Sequence, residues 1–214
     1  MNKQESNYEK VIEQWRQRFL LMDQEKLRER FCLQSDAEWM YTVYFGQKLK
    51  ISRRSGEVLF ADEKEEKPGF NTVITLYNMF HYAIEDPKAS GNLVPFRQVK
   101  RVYPFERAYQ QQILEPFAKI FSGHVEELKL ACEKLGGIPM AQGDAGYRIA
   151  VYPYFDIAIL FWDGDDEFDA QGNMLFDSNI TDFVHEENVV CIAADAVYYL
   201  TQAAGMEEMK IYQG

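Results

Sequence analysis

The feature that most constrains this fold is the apolar segment at residues 71–85, NTVITLYNMFHYAIE. Its spacing is helical, and apolar residues lie on nearly every side of that helix. Such a helix is stable in water only when other elements cover it on several sides. We therefore expect residues 71–85 to form a buried central helix.

The segments before and after this helix alternate between apolar and polar residues, which is the pattern of half-buried strands. Residues 38–45, 48–53 and 57–61 predict a three-stranded antiparallel meander with short turns between the strands. Further strands are predicted at residues 147–152, 156–162 and 173–176.

Other segments repeat apolar residues at three-and-four spacing and predict helices. One runs from 105 to 121 with a kink or break at Pro116, and another begins at Ser122 as its N-cap. A closing helix is expected at 187–204. The predicted fold is α+β, with an antiparallel or mixed sheet packed with several helices. We divide it into an N-terminal helical extension, residues 1–36, and a single α+β domain, residues 37–214.

Charge and composition exclude several classes of protein. The chain has 214 residues, is 47% hydrophobic and carries a net charge of −11. Residues 1–107 hold 18 basic and 16 acidic residues, net +2, whereas residues 108–214 hold 5 basic and 18 acidic, net −13. An acidic surface repels phosphate backbones, so we expect no nucleic-acid partner.

No apolar run of membrane-spanning length occurs, so we expect no membrane partner. The three cysteines are far apart and form no CxxC pair, which is typical of buried thiols in a cytoplasmic protein.

Acidic residues crowd the segment WDGDDEFDAQGNMLFD, residues 162–177. Carboxylates so close repel one another, and a bound Mg²⁺ or Ca²⁺ would relieve that repulsion. The spacing is not that of an EF-hand, because Phe168 stands where the calcium loop needs glycine. A solvated acidic hairpin explains the same pattern without metal. The candidate metal ligands are Asp163, Asp165, Asp166, Glu167 and Asp177.

A second group of candidates mixes aromatic and basic residues. The stretch FRQVKRVYPFERAY, residues 96–109, alternates cations with rings, and such a pattern binds small anions or flat ligands. On the central helix, His81 precedes Glu85 by one turn and is either a core histidine or a ligand-contacting group. The candidate ligand-binding residues are Tyr77, His81, Arg97, Arg101 and Arg107.

Two functional hypotheses follow. The first is a binding or accessory protein without catalysis, in which these aromatic and basic residues hold a small molecule or the acidic face docks a protein partner. The alternative is a divalent-metal-dependent hydrolase that uses the acidic hairpin 163–177. No nucleophile motif, phosphate-binding loop or HExxH sequence occurs, so the sequence names no reaction.

Several segments in a fixed order resemble one known family. They are NMFHYAI at 78–84, the stretch 96–109, LGG at 135–137 and GDAGYRIAVYPYFDIAILFWDGDDEFDAQGNMLFDSNI at 143–180. Together with the closing helix, they resemble a family of anaerobe proteins catalogued as domain of unknown function 3786, over about residues 70–204. The most specific part is the pattern W-x-G-D-D/E-E-F…L-F-D, which spans Trp162 to Asp177 here. The resemblance implies a shared fold and supplies no reaction. Some members resemble fusions with a cysteine-rich iron–sulfur segment, whose cysteines this chain lacks.

Overall fold

The apolar segment forms the buried helix at the centre of the fold. A computed structural model describes residues 7–206. In it, the central helix α3 spans Phe70–Tyr82, and the ten residues 71–80 are all buried. It packs between α1 (Asn7–Leu20) and α7 (Glu186–Ala204). The helix ends three residues earlier than the sequence predicts, because Ala83 is extended and the N–H of Ile84 donates to the carbonyl of Asp182.

The first sheet contains the predicted meander and one additional short strand. Its order is β1-β2-β3-β4, with all neighbours antiparallel. The strands are β1 (Gln34–Ser35), β2 (Trp39–Tyr44), β3 (Gln47–Ser52) and β4 (Val58–Phe60). The meander prediction missed β1, since two residues are too short to show an alternating pattern. Asp36 makes the turn into β2, with its carboxylate accepting the backbone N–H groups of Glu38 and Trp39.

The second sheet is also antiparallel and has the order β5-β9-β8-β7-β6. Its strands are β5 (Leu93–Pro95), β6 (Ile138–Pro139), β7 (Ala145–Tyr152), β8 (Phe155–Trp162) and β9 (Gln171–Asp177). The two sheets meet where the N–H of Phe45 donates to the carbonyl of Val151. Two antiparallel sheets packed with helices confirm the predicted α+β class.

The predicted helix at 105–121 consists of three pieces. Helix α4 (Glu106–Tyr109) continues into a π-helical turn (Gln110–Leu114) and then into α5 (Glu115–Phe121). The wide turn accommodates Pro116, which has no N–H to donate to the preceding turn. The irregularity therefore lies on the N-terminal side of Pro116, and the helix continues through Pro116 without a break.

Helix α6 (Val125–Lys134) starts later than predicted. The prediction of Ser122 as its N-cap was wrong, since the N-cap is His124. Gly123 adopts a φ of 74° between α5 and α6, and this left-handed residue moves the helix start downstream. Helix α6 contacts both α7 and β7.

The N-terminal helices belong to the same core as α3. The ring of Phe19 on α1 lies 5.9 Å from that of Phe80. Helix α2 (Gln24–Arg30) begins at Asp23, whose side chain accepts the N–H of Lys26. The boundary between residues 36 and 37 stays a prediction, and residues 1–6 and 207–214 of the two predicted units lie outside the described residues. None of the helices described between residues 7 and 206 has the length and apolar character needed to span a bilayer.

Candidate functional site

The structure separates the predicted ligand-binding residues. Tyr77 is 1% exposed, and its hydroxyl donates to the carbonyl of Gly56, so it belongs to the core. His81 is an exposed residue, not a core histidine, and its ring lies 5.4 Å from that of Trp15. Arg97 alone of the five lines the cleft described below, whereas Arg101 and Arg107 are exposed outside that lining.

Two of the predicted metal ligands in the acidic hairpin accept backbone N–H groups of their own loop and its neighbours, whereas Asp166 and Glu167 are exposed. Asp163 accepts from Gly123 and Gly164, and its own N–H donates to the carboxylate of Asp144. Asp165 accepts the N–H groups of Glu167 and Phe168, and these hydrogen bonds lower its pKa. These are typical turn contacts, in which a short carboxylate satisfies donors that the bent backbone leaves free.

Asp177 lies at the opposite end of β9 from this loop and is 2% exposed. Its carboxylate accepts four hydrogen bonds, two from Ser90 and one each from the backbone of Gly91 and Asn179. These bonds attach the loop before β5 to the end of β9. Across residues 7–206 the structure holds no group of three or more His, Cys, Asp or Glu side chains arranged to bind a metal. The Mg²⁺ or Ca²⁺ site therefore stays a prediction, without geometric support from these residues.

A cleft of about 890 Å³ opens beside β9. One wall comes from the end of β5 and the turn after it, a second from α4 and the π-helical turn, and a third from α5. The floor is the start of β9 and the end of β8. The lining includes Phe96, Tyr109, Gln110, Lys119, Trp162 and Asn173.

The cleft follows the edge of β9 and not one of its faces. Successive residues of a strand point to opposite faces, so a cavity on one face touches every second residue. This cleft is lined by the four consecutive residues 170–173. Strand β5 pairs with β9 only at residues 175–177, so 171–174 have a strand neighbour on the β8 side alone. The cleft begins where β5 ends at Pro95.

Two local features of the sequence shape this edge. Gly172 is required because a Cβ there would lie 2.3 Å from Cδ1 of Phe117, whose ring packs against the strand. The N–H of Met174 donates to the side chain of its neighbour Asn173 at 2.9 Å. The Asn173 side chain, and not a neighbouring strand, thus accepts the N–H of Met174 at this point of the edge.

The π-helical turn gives the cleft wall its shape. The N–H of Glu115 donates to the carbonyl of Gln110, the wide hydrogen bond that defines this turn. Such turns are rare and are frequent at functional sites. Just before it, Tyr109 stacks on Phe96 with ring centroids 4.1 Å apart, and burial raises the pKa of its phenol. This pair joins the α4 wall to the β5 wall.

A separate polar cluster lies inside the core, around Asp195 on α7. The hydroxyls of Tyr44 and Thr72 each donate to Oδ2 of Asp195 at 2.9 Å, and the hydroxyl of Tyr199 lies 3.0 Å from that of Thr72. No cation among the described residues pairs with this carboxyl, and burial raises its pKa to about 7. The cluster joins β2, α3 and α7, which is a structural role.

Sequence reasoning missed both the cleft and the Asp195 cluster. The cleft depends on where β5 stops pairing with β9, and no local pattern encodes that register. A signal for the cluster was present, because Asp195 interrupts the apolar run IAADAV of the closing helix.

Comparison with known proteins gives one match. The family model described as Domain of unknown function (DUF3786) matches residues 23–199. No curated protein and no solved structure matches the chain.

Proposed function

Since the chain belongs to the DUF3786 family, we propose from its own geometry that it is a binding or accessory protein whose ligand occupies the cleft along β9. The observation that carries this proposal is the unpaired edge of residues 171–173 inside a cleft of about 890 Å³. That volume falls within the range of pockets that hold organic ligands.

The chemistry of the lining supports a ligand that is recognised by hydrogen bonds and ring contacts. Strand edges left open carry backbone donors and acceptors at regular spacing, and Gln110, Gln171 and Asn173 add amide groups. Trp162 is 41% exposed at the cleft, so its ring is accessible to a ligand. The lining holds two cations, Arg97 and Lys119, and three carboxylates, so its charges nearly balance.

The proposal is tested by nuclear magnetic resonance, through the indole N–H signals of the three tryptophans. Trp162 lines the cleft, whereas Trp15 and Trp39 lie on α1 and β2 and serve as internal controls. A chemically diverse fragment collection is added, and the Trp162 signal is assigned with the variant Trp162→Phe. We expect fragment binding to shift the Trp162 signal and leave the other two unchanged. Fragments that bind the protein but never move Trp162 would overturn the proposal.

A further inference from the structure

The open edge of β9 has the geometry that accepts another strand. In an antiparallel ladder, residues that bond to one neighbour alternate with residues that bond to the other. Since the N–H of Met174 meets the Asn173 side chain on the open side, we expect Gly172, two residues earlier, to present its N–H and C=O to the same side. The three residues 171–173, which line the cleft, extend over about 10 Å at strand spacing. An extended segment of comparable length fits along this edge, in line with β5.

The charge around one end of this edge favours a cation. The loop 163–169, which leads into β9, carries Asp163, Asp165, Asp166, Glu167 and Asp169. From residue 149 to residue 209 the sequence contains no Lys or Arg. Within the described part of the chain, none of these carboxylates forms an ion pair, and Asp169 lines the cleft itself. Arg97 and Lys119 line the same cleft, but among the described residues neither forms an ion pair with a carboxylate of this loop. A Lys or Arg from a bound segment would be the first cation to do so.

The three tryptophans differ in whether a cation lies over the indole ring, and this difference also favours a cationic group in the ligand. Arg18 lies over the ring of Trp15 at 4.7 Å, and Lys50 lies over the ring of Trp39 at 4.6 Å. Of the side chains that the structure describes, none places a cation over Trp162, although its ring is exposed beside carboxylates. An indole face is the best aromatic surface for a cation. Trp162 thus offers a free site of a kind that the molecule fills at its other two tryptophans.

From these observations we infer that the cleft takes an extended peptide segment of a partner protein, added as a strand along residues 171–173, with a Lys or Arg of that segment over Trp162. This inference rests on the proposed function and names its ligand class. Backbone hydrogen bonds to the edge of β9 supply affinity, and alternate side chains supply specificity. The carboxylates of loop 163–169 select the basic side chain.

The test uses the full chain and a phage-displayed library of random linear peptides. Selection against the immobilised protein is expected to enrich peptides with a Lys or Arg among β-branched or aromatic residues. The best sequence is then synthesised and its affinity is measured by fluorescence polarisation. A matched peptide with N-methyl groups on alternate residues keeps every side chain and removes the donors needed for strand addition. We expect the methylated peptide to bind about fivefold more weakly, since it loses the hydrogen bond that its backbone donates to the C=O of Gly172.

Protein variants locate the site. Trp162→Leu is expected to weaken peptide binding about fivefold, which is the scale of a cation–aromatic contact. Trp39→Leu is the control, because that ring already carries Lys50. The pair Glu167→Gln with Asp169→Asn is expected to weaken binding and to reduce its salt dependence. Asp62→Asn with Glu63→Gln makes the same change of charge in the exposed loop after β4 and is expected to leave binding unchanged. All variants are first checked for an unchanged circular dichroism spectrum.

Three results would overturn the inference. One is a selection on the wild-type protein that enriches no peptide beyond those enriched in the same selection on Trp162→Leu. Another is a set of peptides that bind equally well after N-methylation. The third is a concentration-dependent dimer that blocks the cleft, which would make a second copy of the chain its occupant. If fragments still shift Trp162 while peptides fail, the peptide inference is wrong and the proposed cleft stands. If neither binds there, both proposals fail.

Discussion

The acidic segment and the cleft lie at the same strand and use their polar groups in opposite ways. The carboxylates of Asp163, Asp165 and Asp177 are conspicuous in the sequence, and in the structure they accept backbone N–H groups of their own surroundings. The cleft is built from residues that attract no attention in the sequence, and it leaves a strand edge without a partner. Polar groups that are satisfied within the fold stabilise it, whereas groups left open are available to a ligand.

The largest effect is expected from Asp177, the most enclosed of these carboxylates. Asp177→Asn replaces one accepting oxygen with an NH₂ group, which faces the N–H of Gly91 at Oδ2 or the donors of Ser90 and Asn179 at Oδ1. A buried donor left without an acceptor costs about 1–3 kcal/mol, and loss of the carboxylate charge weakens the remaining hydrogen bonds, so we expect a loss of about 2–4 kcal/mol in the free energy of unfolding. Urea denaturation measures this loss.

The matched control is Asp166→Asn, an exposed residue of the same segment. We expect it to change stability by less than about 0.5 kcal/mol. Equal effects at the two positions would contradict the assignment of Asp177 as the structural carboxylate.

Adding a methyl group at Gly172 tests the packing of the β9 edge against Phe117, which shapes the cleft. In Gly172→Ala, the new Cβ must push the ring of Phe117, so we expect a loss of about 1–3 kcal/mol from overpacking. Combining it with Phe117→Leu should recover part of that loss, because the smaller side chain makes room. A double-mutant cycle by urea denaturation measures the coupling. Strict additivity of the two changes would show that the strand and Phe117 are not in contact.

The buried Asp195 makes the stability of the fold depend on pH between about 4 and 7. Its pKa is raised from an ordinary value of 3.8 to about 7, so between these values the unfolded chain releases a proton that the folded chain keeps. The stability that the protonated Asp195 contributes is fully present below about pH 4. It is lost progressively as the pH rises to about 7, and it stays lost above that pH. We expect the stability of the wild type relative to Asp195→Asn to fall across this interval. A difference that does not change with pH would contradict the raised pKa.

The smallest effect is expected from divalent cations. Because the described carboxylates form no metal-binding group, millimolar Mg²⁺ or Ca²⁺ should move the melting temperature by less than about 1 °C. A site filled a hundredfold above its dissociation constant would stabilise by about 2.7 kcal/mol, which a thermal melt resolves easily. A rise of several degrees that Asp165→Asn abolishes would revive the metal hypothesis.

The sequence predicts the elements far better than it predicts the site. The spacing of apolar residues predicted the central helix and the long strands. Each strand buries at least one face, and the central helix is buried on nearly all sides, so both leave a clear pattern in the sequence. The sequence predicted a helix irregularity at Pro116 for a local steric reason, and the structure has a π-helical turn just before that residue. The cleft depends instead on the three-residue length of β5 and on its register with β9, which are set by contacts between residues 80 or more positions apart. Tyr77 and Arg97 illustrate the difference, since both have plausible ligand-binding chemistry and only Arg97 lines the cleft.

The most direct test of the central claim is a crystal structure of the protein soaked with the fragment that shifts Trp162 most. We predict that the fragment lies in the cleft, with a hydrogen bond to the backbone of residues 171–173 and a contact with the Trp162 ring. A fragment bound only elsewhere on the molecule, with the edge of β9 left bare, would contradict the account.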